Sequence, residues 1–326
     1  MDAMRCAYHT DYFLPLPSGH PFPMAKYPLL CARLLRDGVV APEDLIRPVE
    51  ANVENLSLVH TLEYLDQLAA GALDAAAVRK LGVPWSPALW RRSRLAAQGT
   101  LEAARAALED GLAGNLAGGT HHAFPSHGEG FCVLNDVAIA IRVLQREGRI
   151  HRALVVDLDV HQGNGTAAIF EGDAGVFTFS VHGERNYPTR KMRSTLDVAL
   201  ADGVVDDEYL ELLERNLAGI LENFPADLVF YLAGVDVVQG DRYGRLALTD
   251  VGLRRRERHV LETCRRAGLP VAITIAGGYA TTPERTAELH AIVFEEARAQ
   301  FGQAADPAVK TPGRRRVEST VTDPVR

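Results

Sequence analysis

Five short apolar stretches constrain this chain more than any other feature. Residues 6–9, 153–158, 176–181, 228–232 and 271–275 are rich in apolar and β-branched side chains, and several run without polar alternation. Strands buried on both faces need such runs. Longer amphipathic stretches lie between them, at 26–36, 133–147, 208–223, 249–267 and 283–299. A further helix is predicted from Pro87 to about Asp110, with Ser86 as N-cap, proline at the first helical position and Gly111 ending it. Strand–helix alternation predicts an α/β fold: one three-layer domain, with a central, mainly parallel sheet and helices on both faces.

At 326 residues the chain could form one large domain or two small ones. No Pro/Gly/Ser-rich linker divides it and no internal repeat is evident, so 1–301 reads as a single domain. Residues 302–326 are polar, proline-containing and non-periodic, and are expected to form a flexible tail. With 47% hydrophobic and 24% charged residues, the composition excludes a disordered, collagen-like or coiled-coil chain. The net charge of -7 argues against nucleic acid as a partner. The run Arg254-Arg255-Arg256 lies in a predicted helix and reads as a solvated face, as does Arg314-Arg315-Arg316 in the tail. No apolar run approaches the roughly 20 residues of a membrane span. MDAMRCAYHTDYF shows no basic segment before an apolar core, so no signal peptide is expected. Cys6, Cys31, Cys132 and Cys264 form no C-x-x-C pair, which excludes a cysteine zinc site and a thioredoxin-like motif. Reduced, mostly buried thiols in a cytoplasmic protein are the expectation. Nothing in the sequence sets an oligomeric state.

Four clusters sit where strands end, which is where open parallel sheets place their sites. The first is Gly118-Gly119-Thr120-His121-His122, followed by the turn Gly128-Glu129-Gly130-Phe131. The second is ALVVDLDVHQGNG at 153–165, in which an apolar strand runs into Asp157, Asp159 and His161. Alternate strand residues share a face, so these three are expected on one side. Buried together they are costly without a cation, and a carboxylate with an imidazole is a suitable ligand set. The third is the strand end at Asp236, in the right place for another ligand. The fourth, ITIAGGY, empties into Gly277, Gly278 and Tyr279. The glycines allow close backbone approach, and the phenol can donate to a developing oxyanion. A rival reading exists: Gly163-x-Gly165-x-x-Ala168 matches a dinucleotide fingerprint, with Glu184 at the spacing of a ribose contact. It fits poorly, because the charges of Asp157, Asp159 and His161 would face the pyrophosphate. Together the clusters form the inventory of a metal-assisted amide hydrolase, with three protein ligands leaving a position open for water.

The motifs GGTHHAFPSHGEGFC, VVDLDVHQGNGT, LAGVD and AGGY occur in this order. With YHTDYF, HTLEYL and VPWSPALWRRSRLAAQGT, the similarity extends over about residues 5–300. The chain resembles the histone deacetylase family, the zinc-dependent lysine deacylases of arginase/deacetylase fold, and looks most like the class IV branch and its bacterial relatives. The resemblance implies one Zn²⁺ per chain on Asp159, His161 and Asp236. It implies His122 as general base and then acid, His121 as charge stabiliser oriented by Asp157, and Tyr279 as oxyanion donor. Gly130 and Phe131 would line the acyl tunnel, with Tyr187 opposite and Tyr243 at the substrate site. A structural monovalent cation, commonly K⁺, would sit at Asp157, Asp159, His161, Ser180 and Val181. The substrate would be an acylated lysine in a protein or peptide, or a small acylated amine.

Departures from the family pattern bear on catalysis and substrate. Asn164 stands where many members pair the second histidine with an aspartate, so the His122 pKa is expected to be lower than in those members. Class II and IV branches share this asparagine. Residues 81–87 carry no carboxylate to clamp a substrate backbone. Tyr243 occupies the position of the glutamate in polyamine-selective members, which argues modestly against polyamines. Ala276 replaces a usual glycine, an expected minor packing change. Two alternatives remain beside the deacylase. One is a non-catalytic module of the same fold, which loss of His122, Tyr279 or a ligand would have supported. The other is a dinuclear arginase-like hydrolase, which needs further aspartates where Gln162, Gly163 and Asn164 stand.

Overall fold

A computed structural model describes residues 4–301; the expected tail lies outside them. Eight strands form one sheet: β1 (Cys6–Ala7), β2 (Leu45–Ile46), β3 (Leu112–Asn115), β4 (Ala153–Asp157), β5 (Val176–Gly183), β6 (Leu196–Leu200), β7 (Leu228–Leu232) and β8 (Val271–Thr274). Their order is β2-β1-β3-β8-β7-β4-β5-β6. Every pairing is parallel. All residues of β4, β7 and β8 are buried, as their apolar runs require, and so are those of β3, Leu-Ala-Gly-Asn.

Ten helices surround the sheet among the described residues: α1 (Lys26–Arg36), α2 (Val53–Leu56), α3 (Leu62–Ala70), α4 (Ala75–Leu81), α5 (Pro87–Asp110), α6 (Asp136–Arg146), α7 (Asn164–Ile169), α8 (Asp206–Asn223), α9 (Asp250–Arg266) and α10 (Pro283–Phe301). The α5 ends follow the sequence. Ser86 Oγ accepts from the Leu89 N–H at 3.0 Å, and Gly111 closes the helix at φ 86°. By contrast α6 starts later than the apolar run at 133, because Asn135 caps it by accepting from the Ala138 N–H at 3.0 Å. The two faces of β3 show the layering. Gly114 faces Phe294 of α10, where a Cβ would approach to 2.6 Å, and the Asn115 side chain donates to Ala96 of α5 on the other face.

The arginine run is only partly a solvated face. Arg254 pairs with Glu295 and Glu296, and Arg255 with Asp207, at partly exposed positions. Arg256 is fully buried and donates to the carbonyls of Leu158 at 3.0 Å and Gly234 at 2.8 Å, with Glu257 beside it. Three consecutive helical residues span more than half a turn, so one of them faces the core. All four cysteines are buried and unpaired. No helix among the described residues is long and apolar enough to cross a membrane.

The register levels the site. Asn115, Thr274, Leu232 and Asp157 lie in one row across β3, β8, β7 and β4. The loops that leave this row carry all four clusters.

Candidate active site

Asp157 ends β4, and the chain then leaves strand geometry. Strand alternation therefore stops there: Asp157 Oδ1 accepts from the Asp159 N–H at 3.2 Å, but its carboxylate is outside the group formed by Asp159, His161 and Asp236. Asp157 Oδ2 meets His121 Nδ1 at 2.7 Å instead. Asp159 and His161 meet Asp236, from the loop after β7. Their ligand atoms lie within 4.8 Å of one another and all three residues are buried. His161 Nδ1 is 3.0 Å from Asp159 Oδ1 and 3.2 Å from Asp236 Oδ2. Backbone N–H groups hold the carboxylates: His161 and Gly277 donate to Asp159 at 2.9 and 2.6 Å, and Val160 to Asp236 at 2.9 Å.

These residues fit a cation. Asp236 Oδ2 is buried with no hydrogen-bond partner among the described residues. Burial, with Asp159 adjacent, pushes the Asp236 carboxyl up to about 7. Burial opposes a charge on His161, but Asp159 and Asp236 outweigh it and raise this group to about 10. Two carboxylates at this spacing need positive charge between them, and two oxygens with one imidazole nitrogen suit zinc.

The histidine pair follows a turn at Gly118 and Gly119, with φ 81° and 74°. The pair is anchored by Asp136, the first residue of α6, which accepts from the Gly119 and Thr120 N–H groups at 3.0 and 2.8 Å. Burial opposes charge on His121, yet Asp157 and Asp159 raise it to about 9. His122 is held well below the usual range, first by burial and then by His121 and His161. The hydrogen bond to Asn164 acts the other way and raises the group, but burial outweighs it. Neighbouring groups with pKa values driven apart are suited to opposite proton-transfer roles.

His122 Nδ1 meets Asn164 Oδ1 at 2.7 Å, and Asn164 Nδ2 donates to Glu129 at 2.6 Å. Glu129 also accepts from Tyr187 Oη at 2.8 Å and pairs with Lys80 at 2.8 Å. Burial opposes its charge, but Lys80, Asn164 and Tyr187 hold its carboxyl below the usual range.

A cavity of about 270 Å³ opens over this centre, lined by Lys80, Leu81, Gly82, His122, Gly130, Phe131, His161, Tyr187, Tyr243 and Tyr279. The expected tunnel residues Gly130, Phe131 and Tyr187 are on its wall, and so is Tyr243, expected at the substrate site. Phe131 adopts φ 68°, a strained conformation for a residue with a side chain, which turns its ring to 6.0 Å from Tyr279. Tyr187 stands edge-on to His122 at 4.9 Å, and Tyr243 to Tyr279 at 5.0 Å. The Tyr279 N–H donates to Asp241 at 2.6 Å, and Asp241 also accepts from the Tyr243 and Gly244 N–H groups.

Sequence reasoning missed Glu129, Asp136, Asp241 and Lys26. Lys26 is fully buried and donates to the Ala276 carbonyl at 3.0 Å. Burial pulls its ammonium down to about 8, against the attraction of Asp236 and Asp159. Ala276 has φ 51°, so its replacement of glycine is a backbone constraint rather than a packing change. For the proposed monovalent cation, Asp157 and Ser180 are cross-strand partners, and the Ser180 hydroxyl contacts His182 Nδ1 at 2.9 Å. The dinucleotide reading gains nothing from Gly163: a Cβ there would lie 2.4 Å from Asp157 Oδ2, so the carboxylate behind the turn already accounts for this glycine.

The model of the histone deacetylase domain matches residues 20–296. The chain belongs to the histone deacetylase family. An uncharacterised protein of Picosynechococcus is 50% identical over 89% of this chain and 97% of its own length. Histone deacetylase 2 of Arabidopsis thaliana is 31% identical over 85% of this chain and 75% of its own. The acetoin utilization protein AcuC of Staphylococcus aureus is 27% identical over 71% and 64%. Among solved structures, the HDA15 HD domain superposes with TM-score 0.76 at 25% identity, covering 94% of this chain and 90% of that one. An HDAC homologue complexed with SAHA shares the fold, with TM-score 0.73 at 24% identity over 92% and 89%. The family is one of zinc-dependent hydrolytic deacetylases, and this member carries a buried Asp–His–Asp candidate metal site.

Proposed function

We propose that this deacetylase removes an acyl group, acetyl or longer, from acylated lysine or a related acylated amine, using one zinc ion. The observation that carries the reading is convergence: Asp159, His161 and Asp236 meet beneath the cavity that His122 and Tyr279 line. Three protein ligands leave coordination open. A zinc ion held there supplies Lewis acidity, which polarises an acyl carbonyl and acidifies water at neutral pH.

The chain's own groups do the rest. The aromatic walls of Phe131, Tyr187 and Tyr243 take the acyl-amine chain. His122 takes a proton from the attacking water and returns it to the leaving amine. His121, beside Asp157, keeps positive charge next to it. Tyr279 donates to the carbonyl oxygen as that atom gains negative charge. The water oxygen bonds to the acyl carbon, the C–N bond breaks, and a carboxylic acid and an amine leave.

Tyr243 places a neutral ring where a carboxylate would attract a polycation, which favours acyl-lysine over acetylpolyamines. K⁺ at Asp157, Asp159, His161, Ser180 and Val181, and a cytoplasmic location with reduced thiols, belong to the same reading. The test pairs metal analysis with a panel of acyl-lysine peptides and acetylpolyamines, with and without a chelator. About one zinc per chain and chelator-sensitive hydrolysis are expected. A zinc-loaded protein inert toward the whole panel would overturn the reading, and two metals per chain would favour a dinuclear hydrolase.

A further inference from the structure

Glu129 is a buried carboxylate that the mechanism above leaves unused. It lies between half-exposed Lys80, which lines the pocket, and Asn164, the support of His122. Oε2 faces Lys80 at 2.8 Å, and Oε1 accepts from Asn164 Nδ2 at 2.6 Å and from the Tyr187 hydroxyl at 2.8 Å. An ionised carboxylate only accepts hydrogen bonds. The Asn164 amide must therefore turn its NH₂ toward Glu129 and its carbonyl oxygen toward His122. That oxygen, 2.7 Å from His122 Nδ1, can only accept, so Nδ1 must carry the hydrogen. The neutral imidazole then has its lone pair on Nε2.

We propose that Glu129 is a positioning residue for proton transfer: acting through the Asn164 amide, it selects the Nδ1–H tautomer of His122. The inference rests on the reading of His122 as general base. The carboxylate that Asn164 lacks stands one side chain further out, and the amide relays its polarity. Lys80 holds the other oxygen of Glu129 and Tyr187 shares Oε1 with Asn164, so the rotamer of a rim residue and the tautomer of the histidine are set by one group. The substitution E129Q removes the constraint. The amide it introduces donates as well as accepts, so Asn164 can turn over and present NH₂ to Nδ1, leaving the hydrogen on Nε2.

The test uses full-length, zinc-loaded protein labelled with ¹⁵N-histidine, with turnover measured on an acetyl-lysine peptide. Wild type is expected to show Nδ1 protonated and Nε2 bare at His122. E129Q is expected to show a mixed or inverted tautomer, with kcat lowered roughly 10–100-fold and KM changed little. The exchange E129Q/N164D moves the carboxylate next to His122 and leaves an amide at position 129 to donate to it, so it should recover most of the lost kcat. A merely structural Glu129 gives no such rescue. An Nε2–H tautomer in wild type overturns the proposal even if no variant folds, as does E129Q with unchanged tautomer and kcat, or a double variant no better than E129Q. If wild type turns over no acylated substrate, the deacylase reading fails while the tautomer measurement still judges Glu129.

Discussion

Gly277→Ala is a one-carbon test of the metal centre. A Cβ at this position would stand 2.2 Å from Asp236 Oδ2 and 2.5 Å from Asp159 Oδ2, whereas real Cβ atoms essentially never come within 3.0 Å of a neighbour. To restore 3.0 Å from 2.2 and 2.5 Å, the two oxygens must retreat by about 0.8 and 0.5 Å. Ligand distances tolerate only about 0.2 Å. The backbone adds no penalty, since Gly277 lies outside the left-handed region that Gly278, at φ 155°, borders. The Gly277 N–H also holds Asp159 at 2.6 Å, so the shift strains that bond as well. Zinc affinity should fall by at least the roughly 10–100-fold typical of outer-shell changes, or about 1.4–2.7 kcal/mol. Turnover at limiting zinc should fall with it. Competition titration against a chromophoric chelator measures the affinity, and circular dichroism of the chelated protein checks that the fold persists. Wild-type zinc affinity in a folded Gly277→Ala protein would refute the assignment of Asp159 and Asp236 as ligands.

Three further outcomes are expected. Tyr279→Phe should lower kcat by roughly 10²–10³ while zinc stays bound, since one oxyanion donor is lost; near-normal turnover removes Tyr279 from the mechanism. Arg256→Ala should destabilise the fold by roughly 3–5 kcal/mol in urea unfolding, because Glu257 and two strand-end carbonyls lose their buried partner; a change below about 1 kcal/mol contradicts the clamp. His60 accepts the Asn135 N–H at Nε2 and contacts the Phe124 carbonyl through Nδ1, and burial lowers its pKa from 6.5 to about 4. The unfolded chain therefore takes up this proton first, and about 3 kcal/mol of stability, present above pH 6.5, is lost as pH falls toward 4. His60→Gln should flatten urea midpoints across that window, and an equal slope in both proteins removes His60 as the cause.

The inner sheet was legible because β4, β7 and β8 are nearly pure apolar runs ending in Asp157, in the loop to Asp236 and in the glycines before Tyr279. Burial on both faces leaves a mark in one dimension. Strand β3, Leu-Ala-Gly-Asn, left none. Gly114 is required by Phe294 and Asn115 by its bonds to Ala96 and Thr100, both dictated by partners far along the chain. The helix cap at Ser86 was readable from local chemistry, while Arg256 was misjudged because charge alone does not tell which face of α9 points inward. The same limit hid Glu129, which sits in plain view between two glycines. Its meaning comes from Asn164, Tyr187 and Lys80, each reached only through folding.

The level row formed by Asn115, Thr274, Leu232 and Asp157 gives the molecule a workbench. Each tool is mounted on its own post at equal height. The posts brace one another, since Gly277 holds Asp159, Val160 holds Asp236 and Asp157 holds His121. The segment bearing Lys80, Leu81 and Gly82 belongs to none of the four posts, so the mouth can be reshaped for a new guest while the ion's seat stays untouched.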